Sequence, residues 1–215
     1  DTKTYTLDEV IASLDNDFSD QTRLRKHLLD QPKYGNDHDE ADAMMVKVHE
    51  HVCHAAMAEA GRVGLDSYLV VNINNDANTT LGKYTSASAD GRKAFTSMAN
   101  GNTPTMGMDT QGATALLNSL RKPRTDIHAG ATQNFKLSRE QLTRFRKQTI
   151  QLIDTYFKEG GAQIMITAVN RGDLEDAMEH PEKYPNLLVR VGGFSARFVE
   201  LPQDVQLEIL NRTLY

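Results

Sequence analysis

YFKEGGAQIMITAVN, residues 156–170, changes from one periodicity to another across two glycines. Upstream of it, Leu142, Phe145, Thr149 or Ile150, Ile153 and Phe157 recur at helical steps. That helix begins at Ser138, where Ser138-Arg139-Glu140-Gln141 has the capping-box pattern, a short hydroxyl and a carboxamide three residues apart. Gly160 and Gly161 supply its stop. Downstream, AQIMITAVN is almost continuously apolar, as suits a strand covered on both faces in a parallel sheet. Further on, Asp173–Glu179 reads as a short helix halted before Pro181, and NLLVRV, residues 186–191, as a second covered strand. Pro202 opens a last helix, PQDVQLEILNRT, where a missing donor does no harm. Helix, strand, helix, strand, loop, helix: the fold class is α/β.

Toward the N-terminus, Thr6-Leu7-Asp8-Glu9 is another capping box, predicting a helix with Val10, Ile11 and Leu14 on one face. A second short helix is expected over residues 21–29, before Pro32. PKYGND, residues 32–37, reads as a polar turn with Gly35 and Asn36 suited to positive φ. From His38 to Ala60, Met44, Val48, Val52 and Ala55 or Ala56 mark a longer helix, with Gly61 as its stop. Residues 62–135 are rich in Gly, Asn, Thr and Ser. They offer one strand, Tyr68 to Ile73, and one short helix in GATALLNSL, residues 112–120, with Thr114, Leu117 and Leu120 near one face. So much irregular chain is expected where loops line a site or pack inside a larger assembly.

The totals, 215 residues at 39% hydrophobic and 25% charged, are those of a soluble globular protein with one large domain or two small ones. No apolar run approaches the ~18 residues of a membrane span. The polar start DTKTYTLDE has no apolar signal core. Net charge is −5, so neither nucleic acid nor membrane is an expected partner. With one cysteine there is no internal disulfide, and a cytoplasmic setting is expected. The chain starts at Asp1 rather than Met, which points to a piece of something longer.

Most chemistry-bearing stretches have bland readings. In VHEHVCHAA, residues 48–56, His49 and Cys53 share one helical face and His51 and His54 another. Two ligands per face are too few for a metal, and none is expected. Mid-helix Cys53 lacks the surroundings of a nucleophile. Asp90-Gly91-Arg92-Lys93 reads as a surface turn, with anion binding as the sharper option. MGMDTQG, residues 106–112, lacks the Lys-Ser/Thr of a phosphate loop. HPEKYP, residues 180–185, reads as a connection.

RVGGFSARF, residues 190–198, is different. Two glycines after a strand are ordinarily a tight turn or bulge. Glycine also has a chemistry of its own. Loss of a hydrogen atom from its Cα leaves a radical shared between amide nitrogen and carbonyl, on a Cα free to flatten. Dioxygen adds to such a centre and cleaves the chain, so it needs shelter, for which Val191, Phe194 and Phe198 are the expected walls. The stretch closely resembles the glycyl-radical motif of the pyruvate formate-lyase-like enzymes, Arg-Val-x-Gly-Tyr/Phe-x-x-x-Phe. The alignment selects Gly193 over Gly192. PKYGND, SADGRKAF, GMDTQGATALLNS, YFKEGGAQIMITAVN and DAMEHPEKYPNLLVRVGGFSARF follow the family's order, so the resemblance covers essentially the whole chain.

The resemblance implies the C-terminal part of a ten-stranded α/β barrel. Residues 1–91 would end the barrel domain, and residues 92–215 would form the glycine radical domain. It implies radical storage on Gly193, no cofactor bound by the chain, and installation by an activating enzyme that uses S-adenosylmethionine and a 4Fe–4S cluster. The radical would pass to a cysteine on the upstream half of the barrel, a role that does not transfer to Cys53. Implied too are a small-molecule substrate, a homodimeric full enzyme, anaerobic and oxygen-sensitive chemistry, and no turnover by this segment alone. Formate acetyltransferase-like, lyase and dehydratase reactions all belong to the family. Gly193-Phe194-Ser195-Ala196 and GMDTQG look closer to its dehydratase and C–X lyase branches. A stand-alone spare-part subunit that replaces an oxygen-damaged segment in a larger partner, and an inert α/β domain with a structural Gly-Gly turn, are the alternatives.

Overall fold

The computed structural model describes residues 4–73 and 75–215. The first three residues of DTKTYTLDE, the Asp1 start among them, and Asn74 in the irregular middle lie outside the described residues. The chain forms two compact units, Asp1–Pro32 with Ala77–Met98, and Lys33–Asp76 with Ala99–Tyr215. Among the described residues no helix is long and apolar enough to cross a membrane.

In the first unit, the expected capping box starts the helix Leu7–Asp15. Thr6 Oγ1 accepts the Glu9 N–H at 3.2 Å, and Glu9 Oε2 accepts the Thr6 N–H at 2.7 Å. Ser13 is buried and Val10 and Leu14 half-buried, but Ile11 is exposed. The helix Thr22–Asp30 buries Leu24 and stops before Pro32. SADGRKAF is a turn closed on itself: Gly91 has φ +94°, and Asp90 Oδ1 accepts from Ser88 Oγ and the Arg92 N–H. The Arg92 guanidinium donates to Ser88 Oγ and to the carbonyls of Ser86, Lys93 and Thr96. Its donors hold this loop together, so the anion-binding option falls to the turn reading.

In the second unit, the helix Asp39–Arg62 runs through Gly61. The stop is Gly64, at φ +73°, with the Leu65 N–H bonded to the Ala60 carbonyl at 2.9 Å. The chain must turn left-handed to satisfy the last carbonyls, and Gly61 remains helical. Met44, Val48 and Val52 form an exposed apolar stripe, while Asp42, Cys53 and Ala60 are buried. In PKYGND, Gly35 takes positive φ as expected, but the second such residue is Asp37, not Asn36. Asn36 instead joins two distant motifs. Its Oδ1 accepts the Thr110 and Gln111 N–H groups at 2.7 and 3.1 Å, and its Nδ2 donates to the Met108 carbonyl at 2.7 Å.

The helix predicted from Ser138 is two, Arg139–Thr143 and Arg146–Lys158. Thr149 Oγ1 spans the break, donating to the carbonyls of Gln141 and Phe145 at 2.9 and 3.1 Å. One period cannot be carried across two axes. The buried line is Thr149 and Tyr156, while Ile150 and Phe157 are exposed. Similarly, Ala113–Leu120 buries Leu116, Leu117 and Leu120 but not Thr114. The glycine stop is as expected. Gly160 has φ +103°, and the Gly161 N–H reaches the Tyr156 carbonyl at 2.9 Å. A Cβ on Gly161 would overlap the Tyr156 ring. Gly161→Ala is therefore expected to destabilise by about 1–3 kcal/mol through overpacking, read as a lowered Tm of the full-length protein.

The strand Met165–Ala168 lies parallel to Asn134–Leu137, pairing Met165 with Asn134 and Ala168 with Leu137. The expected strand at Tyr68–Ile73 is reduced to Val71–Asn72, parallel to Gly130–Ala131. The second covered strand is corrected outright. Leu188–Arg190 pairs antiparallel with Ser195–Arg197, so NLLVRVGGFSAR is a β hairpin with the glycines at its tip. Two cores support these elements. One gathers Leu116, Leu117, Leu120, Phe135, Leu137 and Tyr156. The other includes Leu174, Val189, Val191, Phe198, Val205 and Ile209, packing the helices Arg171–Glu179 and Gln203–Asn211 against the hairpin. HPEKYP is a connection built on the short turn Pro181–Lys183.

Candidate functional site

The hairpin tip is held by hydrogen bonds at Val191, Gly193 and Phe194. The Val191 N–H donates to the Phe194 carbonyl at 3.0 Å. Gly193 has φ +95°, a left-handed conformation that glycine reaches without steric cost. Space is restricted as well. A Cβ on Gly192 would overlap the Asn75 carbonyl oxygen, and one on Gly193 would overlap Ile73 Cδ1. From the neighbouring strand, Thr167 Oγ1 accepts the Arg190 N–H at 3.0 Å, and Met165 Sδ accepts the Gly193 N–H at 3.2 Å.

The strongest clamp comes from the end of the helix Gln203–Asn211. Arg212 donates to the Arg190 and Val191 carbonyls, both at 2.7 Å, and to Glu208 Oε2 at 2.7 Å. Both side chains of this pair are almost wholly buried. Charge-assisted bonds at such distances are the stronger kind. Asn100 Nδ2 adds a second donor to the Val191 carbonyl at 3.4 Å.

The expected shelter is only partly present. Val191 and Phe198 are buried, but Phe194 is 43% exposed. Gly192 is buried and Gly193 exposed, so the two glycines differ in what can reach them. Gly193 forms part of the wall of a cavity of about 440 Å³, with Ile73, His128, Thr132 and Gln163. That volume falls within the range of small-molecule sites. His128 Nδ1 accepts the Gly130 N–H at 3.0 Å, which assigns the ring proton to Nε2. Burial first, then the neighbouring His49, lowers the His128 pKa and favours the neutral ring.

Of the helix motif VHEHVCHAA, only His49 reaches this site, its ring edge-on to His128 with centroids 5.2 Å apart. Cys53 Sγ lies 3.7 Å from His49 Nε2, on a separate apolar groove with Met44, Val48 and Val52. Burial raises the Cys53 pKa and keeps its thiol protonated. Among the described residues no three metal-ligating groups come together.

Beneath the hairpin is a buried polar layer that no motif signalled. Lys136 Nζ donates to the carbonyls of Ile209 and Leu210 at 3.2 and 3.0 Å, satisfying a helix C-terminus. Asp109 accepts from Thr213 Oγ1 at 2.5 Å and from the Tyr215 hydroxyl. Burial, then the nearby Arg171 and Arg212 charges, lowers the Lys136 pKa to about 8. Between that value and 10.5 the unfolded chain keeps a proton the folded chain has released. Stability therefore rises with pH across this window, and the gain is lost as pH falls through about 8. The Lys136 contribution is about 3 kcal/mol. Urea denaturation at stepped pH is expected to show that slope in the wild type and its loss in Lys136→Met.

Residues 98–199, which contain the hairpin, match the family model described as Glycine radical, and residues 1–63 match that described as Pyruvate formate lyase-like. The chain belongs to the glycyl radical enzyme family. Among glycyl radical enzyme relatives, the Probable dehydratase YbiW of Escherichia coli (strain K12) is 35% identical over 218 residues, covering 95% of this chain and 27% of that protein. The glycerol-bound form of the B12-independent glycerol dehydratase from Clostridium butyricum superposes with a TM-score of 0.95 at 30% identity, over all of this chain and 28% of that one. A structure describing 1,2-propanediol dehydration in Roseburia inulinivorans gives a TM-score of 0.93 at 32% identity, over 98% of this chain and 28% of that one. The chain thus spans little more than a quarter of these relatives' length. It corresponds to the C-terminal part of the glycyl radical enzyme α/β barrel, and its glycine radical segment implies a radical carried on glycine.

Proposed function

We propose that Gly193 is the radical-storage residue of a glycyl radical dehydratase. One observation carries the choice of residue: of the two hairpin glycines, Gly193 is the exposed one and lies on the cavity wall, while Gly192 is buried. A radical-SAM activating enzyme using a 4Fe–4S cluster removes one hydrogen atom from Gly193 Cα. The remaining electron is shared with the flanking amide and carbonyl, and the rest of the barrel covers the exposed tip. Turnover begins when the radical passes to a cysteine on the upstream half of the barrel. Cys53 is buried in a different groove, which supports its exclusion from that role.

The reaction class is dehydration of a small hydroxylated substrate rather than formate acetyltransferase chemistry. Its support is the series of dehydratases matched at 30–35% identity. Residues 1–91 end the barrel domain and residues 92–215 form the glycine radical domain. The working enzyme is a cytoplasmic, oxygen-sensitive homodimer of anaerobic metabolism, and this segment alone does not turn over. The test is electron paramagnetic resonance of the full-length enzyme after anaerobic activation. A glycine-centred signal that changes on [2-13C]glycine labelling is expected. A signal indifferent to the label, or none, rejects the proposal.

A further inference from the structure

We infer that Met165 is a positioning residue for the Gly193 radical centre, acting through the N···S hydrogen bond between the Gly193 amide and its thioether. This rests on the reading of Gly193 as the storage site and adds a residue that tunes it. Three observations place the sulfur there by construction. Met165 is only 5% exposed, its Sδ lies 3.2 Å from the Gly193 nitrogen, and its strand is fixed in register by the parallel pairing to Asn134–Leu137. The Met165 N–H is itself held by the Gln133 carbonyl at 2.8 Å, so the side chain starts from a rigid backbone.

The chemistry follows from what a glycyl radical needs. The unpaired electron is delocalised only while the amide on one side of Cα and the carbonyl on the other share a plane with it. An acceptor on the amide hydrogen fixes one of those two planes. It also leaves more electron density on nitrogen, the donor half of the delocalised system. A thioether suits the task because it is a weak, polarisable acceptor that brings no charge into a buried strand. Arg212 and Asn100 grip the hairpin at the Arg190 and Val191 carbonyls, before the glycines. The Met165 contact is made by Gly193 itself, directly beside the reacting Cα.

The experiment compares wild type, Met165→Leu and Met165→Gln in the full-length enzyme, activated anaerobically. Leucine keeps the bulk and removes the acceptor; glutamine restores an acceptor at similar reach. The Gly193 amide-proton hyperfine coupling, the radical yield and the radical half-life are measured, with Tm alongside. Met165→Leu is expected to change the coupling and to lower yield or half-life roughly fivefold, the worth of one net hydrogen bond. Met165→Gln is expected to recover both. Identical coupling, yield and half-life in Met165→Leu overturn the inference. So does a glutamine variant that recovers Tm but not the radical properties, because the effect is then packing alone. A wild type with no glycine-centred signal fails one step earlier, at the storage reading, and is distinguished by that.

Discussion

Gly193→Ala is expected to leave the activated full-length enzyme without a glycine-centred signal and without turnover. Two physical effects act together. At φ +95° a side chain is strained in the left-handed region, and a new Cβ would overlap Ile73 Cδ1. In addition, a methyl group resists the flattening of Cα that delocalisation requires. Gly192→Ala is the informative contrast. Its Cβ would meet the Asn75 carbonyl oxygen, which is backbone and cannot swing aside, so the hairpin should be disturbed although the storage Cα is intact. Air exposure separates the two glycines chemically. Activated wild type should be cut at Gly193 and release a fragment carrying residues 194–215, seen by mass spectrometry. A cut one residue earlier would transfer the role to Gly192.

The second large effect is expected at Arg212. Arg212→Met removes the Arg212 donors to the Arg190 and Val191 carbonyls and breaks the ion pair with Glu208, which is 3% exposed. Breaking a buried pair from one side costs about 3–5 kcal/mol, because a charge remains in a medium that cannot solvate it. Denaturation of the full-length protein should show a loss of that order. Removing both charges in Glu208→Gln/Arg212→Met should be milder, since no ion is then stranded. A single-variant loss under about 1 kcal/mol would mean that water reaches Glu208 and that the clamp is weak.

Much of this architecture is legible in local chemistry. The Thr6–Glu9 capping box, the Gly160–Gly161 stop and the parallel strand at Met165 follow from residue pattern and from glycine's conformational freedom, which act within a few residues, although that strand buries only the Met165 and Thr167 face. Where expectation and structure part, a longer-range effect decides. The predicted single helix from Ser138 breaks at Arg144–Phe145, and its buried line moves to Thr149 and Tyr156. Met44, Val48 and Val52 have the pattern of a core face yet are exposed. Periodicity reports that a face is apolar, not what lies against it.

Taken alone, the sequence determined the α/β class, the family resemblance and the preference for Gly193, because each depends on residue type and order. Only the tertiary structure decided that the glycines cap an antiparallel hairpin, that Gly192 is buried while Gly193 opens on a cavity, and that Arg212, Asn100 and Met165 secure the tip. Glu208 and Arg212, four apart, look in sequence like any solvent-facing helical ion pair. The Arg212 contact to Val191 spans 21 residues, that of Asn100 spans 91, and Met165 lies 28 residues from Gly193. Such pairings depend on how strands and helices stack, and no local propensity encodes that.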